Sequence, residues 1–255
     1  MGKNMKVRNC LLVGLMALGS IHVALAATAC PQFFVGGQPP TLPANLTART
    51  TQVCYTDYVL EASGQTMGDL YSAEYLTAAN VEANEAFSRT GSWHQDHNIP
   101  DADRGSSADY TNSGYDRGHM APAADPGSPA AEKETFSMEN VVPQTPTLNR
   151  GEWEKIEVHT RDMAKQYGSV YVVSGPMFAS SNPKTIGTDH VIVPDYTWKA
   201  VYEPGVGAAA WVCSDDNAAI CQVVSISQLT EWTGVDPFPA LSQMIKSTPI
   251  SLPIP

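Results

Sequence analysis

Basic residues are scarce in this 255-residue chain: 15 Lys and Arg stand against 26 Asp and Glu, for a formal net charge of −11. That balance excludes the broad cationic surface through which most proteins hold a polyanion by counterion release, so any phosphate handled here must be met by a local group of arginines. Cysteine is sparse as well, with five residues and no Cys-x-x-Cys pair, which argues against a structural zinc site. A membrane-spanning helix needs about 20 apolar residues. The one candidate run, from Cys10 to about Leu18, is followed by Ser20 and His22 and falls short. Internal repeats, low-complexity tracts and a Pro/Gly/Ser linker are also missing, so residues 27–255 are expected to form one domain around one well-buried core.

What is present at the start is a basic segment (Lys3, Lys6, Arg8), the short apolar run, and Ala24-Leu25-Ala26 as a small-residue cleavage site. These features predict a signal peptide over residues 1–26, export to the periplasm or the medium, and no membrane anchor. Loss of its three positive charges would take the net charge from −11 to −14. Loss of Cys10 would leave Cys30, Cys54, Cys213 and Cys221, an even set that reads as two disulfides in an exported protein. Of the three possible pairings, Cys30 with Cys54 and Cys213 with Cys221 are favoured because each closes a short loop.

Residues 31–50, rich in Pro and Gly, predict an extended arm, followed by a strand over Gln52–Leu60 and a helix from Ser72 to Phe87. Polar and turn residues from Arg89 to Ser113 predict a long ordered loop, a common place for function. Asn149–Tyr167 carries Trp153, Ile156, Met163, Ala164 and Tyr167 at helical spacing and ends at Gly168. Strand patterns then recur over 169–174, 190–193, 197–202, 207–213 and 221–226, with connections too short for helical crossovers. The fold class expected is α+β, a mostly antiparallel sheet flanked by helices.

Chemistry concentrates in Asp116-Arg117-Gly118-His119. Histidine is the side chain best placed to take a proton near neutral pH, and the arginine fork fits a phosphate, so the pair points to phosphodiester cleavage. Thirty residues on, Thr147 to Glu157 supplies neutral and anionic oxygens of the kind a hard divalent cation prefers. On a regular helix Asn149 and Glu157 are separated by a rise of about 12 Å and a rotation of about 80°, too far for both to bind one ion directly. A capping role competes at Asn149, since Glu152 three positions on completes a capping-box pattern. Arg117 has the competing role of a surface ion pair with Asp116. The segment Trp93-His94-Gln95-Asp96-His97 could suggest a separate metal site, but solvated loop residues are the simpler reading without further ligands nearby.

Asp116-Arg117-Gly118-His119, Asn140-Val141-Val142-Pro143-Gln144 and Leu148-Asn149-Arg150-Gly151-x-Trp153 with Glu157, in this order and spacing, resemble the DNA/RNA non-specific endonucleases of the secreted ββα-metal type. The resemblance spans roughly residues 55 to 250. It implies His119 as general base, Asn149 as the only direct protein ligand of Mg2+ (with Mn2+ as a substitute), and Glu157 reaching that ion through water. It further implies phosphate contact for Arg117, an upstream arginine at Arg89 on the scissile phosphate, and Asn140 hydrogen-bonded within the active site. The activity implied is cleavage within DNA and RNA strands. A DNA-preferring member of the same family, and an exported nucleic-acid-binding protein without catalysis, are the alternatives.

Overall fold

Several segments carry apolar residues without strand-like alternation, and the architecture explains why. The computed structural model describes residues 28–255, so the expected signal peptide lies outside the described residues. Eleven strands and five helices are described: β1 (Thr50–Cys54), β2 (Tyr58–Ser63), β3 (Gly68–Thr77), β4 (Asp116–His119), β5 (Val141–Gln144), β6 (Ser169–Met177), β7 (Thr185–Ile186), β8 (Val191–Ile192), β9 (Tyr196–Glu203), β10 (Gly207–Ser214) and β11 (Cys221–Val224), with α1 (Ala78–Asn84), α2 (Pro129–Glu134), α3 (Trp153–Tyr167), α4 (Ile226–Thr233) and α5 (Gln243–Ser247). Seven strands form one sheet in the order β1-β2-β3-β6-β9-β10-β11, and every neighbouring pair is antiparallel. The expected α+β class with a mostly antiparallel sheet and flanking helices is what the chain builds.

Both faces of this sheet are covered. On one side Val59, Tyr71, Val173, Trp198 and Ala210 pack with Phe33, Phe34 and the α4 residues Ile226 and Leu229. On the other, Val170, Val172, Val201 and Trp211 pack with Trp153, Ile156 and Ala164 of α3 and with Met120 and Val142. A strand buried on both faces reads as a continuous apolar run, so its period of two disappears. This is why Ser72–Phe87 does not form the helix its composition predicts. Residues 68–77 are β3, a central strand with Leu70, Tyr71, Ala73 and Leu76 buried, and only Ala78–Asn84 turns helical, with the Thr77 hydroxyl accepting from Asn80 N at 3.1 Å. The expected strand over Gln52–Leu60 is likewise two strands joined by a tight turn.

Residues 31–50 form short 3-10 turns in place of an extended arm, because Phe33 and Phe34 are drawn into the core and Cys30 is bonded to Cys54. The second disulfide joins Cys213 to Cys221, directly opposed residues on β10 and β11. Both are the short-loop pairings expected.

Against the α3 side of the sheet lies a separate two-stranded ladder, β4 with β5, and α3 follows directly. Gly118, in the middle of β4, has no room for a side chain: a Cβ there would lie 2.1 Å from Oε1 of the buried Gln144 on β5. Gly168 closes α3 with φ of 92°, its N–H donating to Ala164 O at 2.8 Å. This β4-β5-α3 unit carries most of the candidate site.

Candidate active site

Successive residues of a strand point to opposite sides, so β4 sends Arg117 and His119 one way and Asp116 and Gly118 the other. Trp153 of α3 fixes the strand to the helix by donating from Nε1 to His119 O at 3.1 Å. The result is an open cleft of about 480 Å³ whose walls include Arg89, Arg117, His119, Asn149, Glu157 and Arg161. Five of the six residues picked out from sequence therefore meet in one place.

His119 sits in an aromatic corner. The Trp93 ring lies 4.8 Å from it and the Phe136 ring 5.4 Å, edge-on, while Nε2 is buried with no hydrogen-bond partner among the described residues. Burial first, and then the Arg89 charge, pull its pKa down from 6.5 to about 3. The imidazole is accordingly neutral at physiological pH, the form that can accept a proton. Above pH 6.5 the ring is neutral both folded and unfolded, whereas between 6.5 and about 3 only the unfolded chain takes up the proton. Relative to His119→Gln, the wild type should lose unfolding free energy by up to about 1.4 kcal/mol per pH unit in that window. Denaturant melts of both proteins at pH 7 and pH 5 check this, and a gap independent of pH refutes it.

Arg117 does not pair with Asp116. Its Nη2 donates to Ser107 O at 2.6 Å and Ser107 Oγ at 2.8 Å, and its guanidinium lies against the Trp93 and Tyr110 rings, 5.6 and 5.2 Å from their centroids. Arg89 is exposed and stands over Phe136, 4.7 Å from its centroid. The long loop from 89 to 113 is ordered by buried carboxylates: Glu132 accepts from the N–H groups of Thr90 and Gly91, and Glu139 from that of Asp96. His94 and His97 are not brought together there, since His94 Nδ1 meets Ser92 O and His97 Nδ1 meets Arg104. Asp96 instead accepts from Tyr55 OH.

Asn149 is not a helix cap. Residues Leu148–Glu152 form a π-helical turn that runs straight into α3, Asn149 N donates to Thr145 O at 2.9 Å, and Glu152 pairs with Lys155. A turn with an inserted residue is a frequent mark of functional sites. It also alters the rotation expected of a regular helix, and Asn149 and Glu157 both line the cleft. The Asn149 amide is oriented by Asp116, whose Oδ2 accepts from Nδ2 at 3.0 Å, leaving Oδ1 for another partner. Asp116 is also gripped by Arg150 at 2.7 and 2.6 Å. Although burial raises the Asp116 pKa, the Arg150 and Asn149 hydrogen bonds outweigh it and hold the carboxyl below the usual range.

Glu157 has its pKa pushed up to about 7, by burial above all, with Asp125 and Glu154 adding to it and Lys199 and Arg161 opposing. Arg161 is held by the buried Asp125 at 3.0 Å. Lys199, fully buried, donates to Ser174 Oγ at 2.6 Å and Met120 O at 3.3 Å beneath Trp153. Arg161, Phe136 and the orienting role of Asp116 were missed from sequence. Arg161 was findable, since it lies four residues after Glu157 and so on the same helix face.

Asn140 is the exception among the expected site residues. It is fully buried and does not line the cleft: Nδ2 donates to Ala121 O and Thr135 O, each at 2.8 Å, while Oδ1 accepts from Ala121 N at 3.0 Å and Ser72 Oγ at 2.8 Å. With all four positions used inside the protein it ties the segment after β4 to β3, and it lies behind the cleft rather than in its wall.

The family model described as DNA/RNA non-specific endonuclease matches residues 40–244. Mitochondrial endonuclease G of Bos taurus is 33% identical over 160 residues, 59% of this chain and 53% of that protein. Mitochondrial nuclease EXOG of Danio rerio is 33% identical over 157 residues, 58% of this chain and 46% of that protein. The chain spans about half the length of the curated relatives it matches. A crystal structure of an EndoG/EndoGI complex, described as showing the mechanism of EndoG inhibition, superposes with a TM-score of 0.71 at 27% identity, covering 76% of this chain and 88% of that one. These relatives correct the expectation of export, since endonuclease G of cattle and human, EXOG of zebrafish and the matching nuclease of Saccharomyces cerevisiae are all named as mitochondrial. With a family model matched across most of its length and the β4-β5-α3 unit in place, this chain belongs to the DNA/RNA non-specific endonucleases.

Proposed function

We propose that residues 27–255 act as one catalytic domain that hydrolyses phosphodiester bonds within DNA and RNA strands, using Mg2+ or, in its place, Mn2+. The observation that carries this reading is the neutral His119, its Nε2 unpaired among the described residues, in one cleft with four arginines and the free oxygen of Asn149. Among the described residues no three His, Cys, Asp or Glu side chains gather around a common point. That does not suit calcium, which takes six to eight oxygens, but it suits magnesium, which keeps most of its waters and accepts one or two protein oxygens. Asn149 Oδ1 would be the direct ligand and Glu157 would be reached through water. Such a cation, when bound, supplies positive charge to the phosphate oxygens and the leaving oxygen.

His119 takes a proton from a water molecule as the water oxygen attacks phosphorus, the P–O bond to the 3′-oxygen breaks in line with its electron pair going to that oxygen, and solvent water protonates the leaving oxygen and takes back the proton held on His119. Arg117 and Arg89 stabilise the charge that gathers on the phosphate oxygens. Aromatic packing and the Ser107 hydrogen bonds keep the Arg117 fork from swinging away between turnovers. The acidic remainder of the chain weakens overall affinity, which favours release of the cleaved, still anionic product.

The protein should relax and then linearise circular DNA and degrade RNA when Mg2+ is supplied, and excess chelator should silence both reactions. Full activity in chelator overturns the metal assignment. Binding of DNA without cleavage would favour the non-catalytic alternative, and cleavage of DNA alone the DNA-preferring one.

A further inference from the structure

The turn that carries Asn149 is anchored from outside the cleft. Thr145, the first of three residues between β5 and that turn, spends every polar group it has on a link. On the helix side its carbonyl accepts from Asn149 N at 2.9 Å and its hydroxyl accepts from Leu148 N at 3.4 Å. Facing away, its N–H donates to Asp215 Oδ1 at 2.7 Å and its hydroxyl donates to the carbonyl of Asp216 at 3.1 Å. Asp215 and Asp216 begin the loop of the β10-β11 hairpin, two residues beyond the Cys213–Cys221 disulfide.

That loop is itself stiff. Asp215 N donates to Asp195 O at 2.9 Å, Ser214 N to Ile220 O at 3.0 Å, and Asp216 Oδ1 accepts from the N–H groups of Ala218 and Ala219. Asp215 is 9% exposed, and its second oxygen is buried with no partner among the described residues. A carboxylate kept in that setting carries a desolvation cost that an apolar residue would avoid, so its hydrogen bonding to Thr145 is what the fold gains from it. Burial raises its pKa to about 6 against the opposing Thr145 bonds.

We propose that Asp215 is a positioning residue for the cation site: through Thr145 it sets the first turn before α3, and with it the direction in which Asn149 presents Oδ1. This inference rests on Asn149 being the metal ligand. It predicts a linkage that neither the cleft nor the motifs display, from the edge of the seven-stranded sheet to the ligand.

The test is Mn2+ binding measured directly, by paramagnetic titration and calorimetry, with no substrate present. Asp215→Ala and Asp215→Leu both remove the acceptor, and leucine fills the volume left by the carboxylate. Whichever folds should bind Mn2+ about tenfold more weakly, the lower end of what loss of a supporting residue costs a metal site. Asp215→Asn, which keeps an oxygen for the Thr145 N–H, should bind like the wild type. Asp216→Ala, whose side-chain bonds stay inside the hairpin, should lower the melting temperature and leave Mn2+ affinity unchanged. Wild-type Mn2+ affinity in the Asp215→Ala or Asp215→Leu protein overturns the inference, as does equal weakening in Asp216→Ala. Asn149→Ala measured alongside separates the two failures: if it binds Mn2+ as tightly as the wild type the ligand assignment falls, and if it alone loses binding only the role of Asp215 falls.

Discussion

Replacing His119 by alanine should lower turnover by about 10²- to 10⁴-fold, the usual scale for loss of a general base, while the protein stays folded. The size of the loss follows from the surroundings of the ring. Among the described residues no second histidine lines the cleft, and the other titratable side chains there are Tyr115, four arginines, which hold their protons, and the carboxyl groups of Asp116, Glu154 and Glu157. The fold should survive because the imidazole contributes no side-chain hydrogen bond through Nε2, and the backbone bond from Trp153 to His119 O does not depend on the side chain. Removing a ring whose protonation is opposed by burial also removes an acid liability. Single-turnover cleavage of a labelled oligonucleotide, with thermal melts of the same preparations, checks both halves. A folded His119→Ala protein that cleaves within threefold of the wild type, roughly 0.7 kcal/mol in the barrier, refutes the base assignment.

His119 also shows what a linear motif can and cannot reveal. Its identity, and its place one glycine from Arg117, are legible because strand alternation puts positions 117 and 119 on one side whatever the rest of the fold does. The depressed pKa was not legible, because its causes lie 26 and 17 residues away in sequence, at Trp93 and Phe136, and at the Arg89 charge beyond them. Sequence spacing failed in another way at β3, where burial on both faces erased the alternation that marks a strand. At Asn140 the residue type was legible and the placement was not: an amide can line a cleft or be buried equally well, and the four hydrogen bonds around it put it behind the cleft wall. The α3 register was legible from Trp153, Ile156 and Ala164. The π turn before it was not, because the inserted residue is fixed by Thr145 and its partners on a hairpin 70 residues downstream.

Asn149 is where the readings diverge most, and substitution by aspartate tests them against each other. A cap would tolerate aspartate, which serves helix starts about as well as asparagine. The observed geometry does not allow that tolerance. Asn149 Nδ2 donates to Asp116 Oδ2 at 3.0 Å, so an aspartate would replace a donor with an oxygen facing a carboxylate whose charge is already favoured by Arg150. Two carboxylates at that separation cannot both stay charged without a cation between them or a proton on one. Asn149→Asp should therefore melt lower than the wild type without Mg2+ and recover more of its melting temperature when Mg2+ is added. It should also bind the cation more tightly and cleave more slowly, because the added charge repels the substrate phosphate. Asn149→Ala has no oxygen to offer, and its cleavage rate should fall by about 10²-fold or more at every Mg2+ concentration, about 2.7 kcal/mol or more in the barrier. Melting curves and cleavage rates across a Mg2+ series separate these outcomes, and an Asn149→Asp protein with wild-type rates, wild-type stability and the same Mg2+ dependence would place the cation elsewhere in the cleft.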